Sequence, residues 1–221
     1  MKRTALVNEY VIFVINRIAE HNFYLPPESD RTQRYGTPNP ARPTNISELE
    51  LQIRSWWKEN QTKSLLERKI EDVNDPIHDN RFAAYEWFGR TKAMEGRDPL
   101  EQRIDALLTG QVDSLKQTEM AACAEALAQI GDSTSAPTVR KVCNHLSYWL
   151  SMRYRPKEEG RSAGWSNQIG TMSKAYRALA SLGFKDEALS RLEDFKSRYL
   201  GEMDTSVQEE FLKEFESAKT W

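Results

Sequence analysis

A reactive centre in this 221-residue chain would have to be drawn from His21, His78 and His145, from Cys123 and Cys143, and from a few adjacent carboxylates. No histidine stands four residues from a second His or Cys, the step that presents two ligands to zinc on one helix face. Cys143 and His145 are two positions apart, which on a helix turns their side chains about 200° from each other. That spacing gives a buried thiol beside a partly exposed imidazole rather than an activated nucleophile. Cys123 and Cys143 read as packed thiols of a reduced core. Glu71-Asp72, Glu158-Glu159 and Glu209-Glu210 lie in polar surroundings and read as solvated, because a general acid needs an apolar pocket or a close partner to raise its pKa. The chain holds no glycine-rich phosphate loop and no G-x-S-x-G turn. These residues predict no catalytic set, no metal site and no cofactor.

Recognition chemistry is more visible. In "SWWKEN" (55–60), Leu49, Ile53 and Trp57 fall on one helical line and Trp56 points about 100° away. One indole is expected in the core, and Trp56 is taken as the anchor for a partner. Arg153, Tyr154, Arg155, Lys157, Arg161 and Trp165 form a basic, aromatic-bearing stretch inside "SMRYRPKEEGRSAGWS" (151–166), expected to be a loop that contacts a partner. Arg31, Arg34 and Tyr35 repeat the pattern more weakly in the proline-rich segment 26–45, which cannot be helical.

Helices must carry these loops. Met120, Cys123, Leu127 and Ile130 recur at spacings of three and four, Gly131 supplies the left-handed end, and Pro137 restarts a helix continued by Val139, Val142, Leu146 and Leu150. An antiparallel hairpin results. Ile169, Met172, Tyr176, Leu179 and Leu182 then run to Gly183, followed by Leu189, Leu192, Phe195 and Tyr199. "ALAQIG" (126–131) and "ALASLG" (178–183) are near copies, and "RFAAYEWFGR" (81–90) sets Glu86 on Glu125 and Phe88 on Leu127. Val207, Phe211, Phe215 and Ala218 define a last amphipathic helix. A helix over about 3–21 is expected to be buried, being apolar nearly all round, and the next is expected to open with Ser47 and Glu50 as a capping box. No stretch alternates as a strand would. The fold class is all-α: one domain over 1–221, built as an α-solenoid of stacked antiparallel helix pairs.

"DPIHDNRFAAYEWFG", with Asp75, Arg81, Ala83, Ala84 and Glu86, and "AEALAQIGDSTSAPTV" resemble the HEAT-like repeats first noted in phycobilisome lyases. The resemblance covers about 65–150; the third pair fits that family or a tetratricopeptide-like hairpin. It implies a HEAT/ARM-like superhelix that binds other macromolecules, some related enzymes modifying DNA or pigments. Charge sharpens the expectation. The formal net charge is −2, so no positive field gathers a polyanion, which counts against nucleic acid. Asn8 and Glu9 break the first apolar run, and it falls short of the roughly 20 residues of a span. The expected protein is cytoplasmic and non-enzymatic: an adaptor, scaffold or inhibitor of another protein, with a nucleic-acid-binding or DNA-modifying repeat protein as the alternative.

Overall fold

A computed structural model describes residues 2–23, 43–110, 113–153, 165–203 and 205–221, and among these every regular element is helical. The chain divides into two compact units, Met1–Ala84 and Tyr85–Trp221.

The first unit contains α1 (Lys2–Ala19), α2 (Ile46–Asn60), α3 (Leu65–Asp72) and the start of α4 (His78–Thr91). Its apolar core gathers Ala19, Phe23 and Leu49, with Ile12, Ile15, Ile53 and Trp56 against them. Against expectation, α1 is not buried all round. Tyr10, Phe13 and Ile18 are 68%, 59% and 69% exposed, because the described side chains of α1 pack into the core along the line of Ile12, Ile15 and Ala19. The cap of α2 also differs from expectation. Asn45 is the N-cap, accepting from the Glu48 N–H, while the Glu48 carboxylate takes the Thr44 N–H at 2.6 Å. The helix therefore starts one residue before Ser47, whose hydroxyl is not needed. A full capping box stands instead at Ser64 and Glu67, opening α3.

The end of α1 is tied by side chains rather than by a glycine. Glu20 takes a left-handed φ of 49°. Arg68 donates to the Ala19 carbonyl at 2.9 Å and Lys69 to that of Glu20 at 2.5 Å, satisfying carbonyls that a helix end leaves open. Asn16 closes the turn by accepting the Phe23 N–H and donating to the Phe23 carbonyl.

The second unit holds the rest of α4, then α5 (Arg97–Leu107), α6 (Ser114–Ile130), α7 (Ala136–Arg153), α8 (Trp165–Leu179), α9 (Lys185–Tyr199) and α10 (Thr205–Ala218). Gly131 closes α6 at φ 86°, its N–H donating to the Leu127 carbonyl, and Gly183 separates α8 from α9 at φ 97°. Without a Cβ these positions are cheap for glycine and costly for other residues. The turn after α4 puts Lys92, not a glycine, at a left-handed φ of 54°. Gly89 lies inside α4, where a Cβ would come 2.2 Å from Oε1 of Gln129 on α6.

α6 packs on α5, α7 and α8, and α8 packs on α7, α9 and α10. Most positions of the stripes read from the sequence are buried, including Met120, Cys123, Leu127, Ile169, Met172 and Tyr176, while Leu189 and Tyr199 of α9 are only partly buried. In α10, Val207, Phe211, Phe215 and Ala218 are all buried, as the spacing predicts. Polar links join successive pairs: Arg97 with Asp132, Lys141 with Asp105, and a two-pronged Arg140–Glu187 pair at 2.7–3.0 Å.

Candidate functional site

Two features of the first unit could serve a function. One is a buried polar knot, and the other is an exposed apolar face.

The knot forms where the end of α1 meets α3 and the start of α4. His21 (7% exposed) sets Nδ1 3.3 Å from Oδ1 of Asp72, itself buried, and Lys69 reaches the other Asp72 oxygen at 2.9 Å. Glu71-Asp72 is thus not a solvated pair: Glu71 faces outward to Lys63 while Asp72 turns inward. Ligand-type atoms of His21, Asp72 and Asp75 lie within 4.8 Å of one another, a set of donors that suits a divalent cation on spacing alone. The hydrogen bonds rule differently. Asn80 accepts the Asn22 N–H on Oδ1 at 2.7 Å, which turns its NH₂ toward Nε2 of His21 at 3.2 Å. An amide nitrogen only donates, so Nε2 is the acceptor and the ring proton sits on Nδ1, donated to Asp72. A cation would have to strip that proton and share Asp72 with an ammonium. Asp75, in turn, accepts the Ile77 N–H at 2.6 Å. The residues fit a fastener for the end of α1, not a metal site.

The apolar face is built from α1 and α2. Val11, Ile12 and Ile15 of α1 with Ile46, Leu49 and Ile53 of α2 line a groove of about 330 Å³, and Glu50 and Arg54 stand at its edge. Those two charges pair with each other at 2.7 Å. Trp57 continues the row of Ile46, Glu50 and Ile53 and is 50% exposed. The two indoles have exchanged their expected places. Trp56 is half-buried, stacked on His21 at 4.9 Å and edge-on to Phe23 at 5.4 Å, with the Arg68 guanidinium 5.7 Å from its ring. The buried line of α2 is Leu49, Ile53, Trp56 and Asn60, so Trp56 is a core residue and Trp57 the projecting one. Seven residues, about two turns, return Trp56 to within about 20° of Leu49, while Trp57 is turned about 80° from it, and the contacts with Phe23 and His21, from a distant stretch, hold Trp56 in the core.

In the second unit, Tyr85 and Arg103 converge on Glu119, which is 1% exposed, at 2.7 Å each. Burial, with the Cys123 thiol and Glu119 beside it, pushes the Tyr85 phenol well above its ordinary range. Burial works against the Arg103 charge, but the bond to Glu119 outweighs it and raises the guanidinium above its usual value. The arrangement is a neutralised core pair. Glu119 was legible in principle, since it lies on the stripe of Cys123, Ala126 and Ile130. Burial pushes the Cys143 thiol up to about 12, so it is a protonated thiol and no nucleophile at neutral pH, while burial also lowers the His145 imidazole.

Of the expected partner-binding residues, Tyr154, Arg155, Lys157 and Arg161 lie outside the described residues, as do Arg31, Arg34 and Tyr35. Arg153 is the last residue of α7 and Trp165 the first of α8. No family model, no curated protein and no solved structure matches this chain. No helix among the described residues is long and apolar enough to cross a membrane.

Proposed function

We propose that this chain is a non-enzymatic protein-binding helical-repeat module, an adaptor, scaffold or inhibitor of a partner protein. The pairs α4/α5, α6/α7 and α8/α9 read as HEAT-like repeats of an α-solenoid. Supporting that reading, α6 packs on α5 before it and α8 after it, and α8 on α6 and α7 before it and α10 after it, as stacked repeats do. The observation that carries the function is the apolar face on α1 and α2. Beside the groove, Val11, Ile18, Ile46 and Trp57 are 47%, 69%, 52% and 50% exposed. Contiguous apolar surface of this kind on a folded protein marks a contact site. The 151–166 segment, with Arg153, Tyr154, Arg155, Lys157, Arg161 and Trp165, is the proposed second contact.

The test begins with capture from the native cell on immobilised full chain. The purified candidate is then titrated against wild type, against Ile18→Ala/Trp57→Ala and against Arg153→Ala/Arg155→Ala/Trp165→Ala. At least a tenfold loss of affinity is expected for the first variant, and a smaller loss for the second. Equal affinity for all three proteins would remove the reading. The alternative, nucleic-acid binding through the basic loop, predicts affinity that collapses as salt rises.

A further inference from the structure

We draw no further inference here: the strongest candidate, the apolar groove between α1 and α2 lined by Val11, Ile12, Ile15, Ile46, Leu49 and Ile53, carries nothing beyond the site already described, because nothing in the structure shows what covers it.

Discussion

Asn80 settles what His21 can be. Its amide is held on Asn22, so the histidine is held as the Nδ1–H tautomer with its proton on Asp72. Long-range nitrogen–proton correlation spectra at neutral pH should show that tautomer, and Asn80→Ala should lower the unfolding free energy by about 1–3 kcal/mol by stranding two buried groups. The Nε2–H tautomer in wild type would break the account. At high pH the strain moves to the second unit. Burial raises the Cys143 thiol and the Tyr176 phenol to about 12, from ordinary values of 9.0 and 10.0. Above pH 9 the unfolded chain loses these protons while the folded chain keeps them, so stability falls as pH rises from about 9 to 12. Urea midpoints at pH 8 and pH 10.5 measure this, and Cys143→Ala should flatten part of the decline. Such groups resist reading from sequence for a definite reason. Asp72 sits among Arg68, Lys69 and Glu71 and looks solvated; its burial is caused by a histidine 51 residues upstream.

Elements were more legible than the contacts between them. Gly131, Gly183 and the stripe of α10 could be read because helix periodicity and left-handed ends are local properties. The cap at Asn45 and the exposed side of α1 could not, since a cap depends on which of several polar residues wins, and burial depends on how many neighbours arrive. Two glycines show the difference between local and tertiary demand. A Cβ on Gly96 would sit 2.2 Å from the ring of Phe88, which is fully buried and has nowhere to move. Gly96→Ala should therefore cost about 1–3 kcal/mol by overpacking. Gly89 meets an equally short contact, but with the end of the Gln129 side chain, which is exposed and can swing away. Gly89→Ala is expected within about 1 kcal/mol of wild type, because alanine's gain in helix propensity offsets the displacement. Chemical denaturation of the pair decides the matter; equal losses would mean that α4 approaches α6 more rigidly than Gln129 allows.

For the whole chain, the near balance of charge fixes how association must respond to ions. With 31 basic and 33 acidic residues there is no long-range field to steer a partner, and the links along the second unit are internal pairs such as Arg97–Asp132 and Arg140–Glu187. Attraction through the proposed α1–α2 face would then reside in apolar area, which added sodium chloride does not screen and which sulfate strengthens. Binding through α1 and α2 should change less than threefold between 50 and 500 mM sodium chloride, far from the fall of about 10³–10⁵ between 50 and 200 mM that 6–10 phosphate contacts produce. Replacing chloride by sulfate should tighten it. Affinity measured across the two salts separates the possibilities cleanly: a steep linear fall of log K with log salt would place the contact on the basic 151–166 segment and return nucleic acid as the partner. A flat response that disappears with Trp57→Ala would fix it on the apolar face.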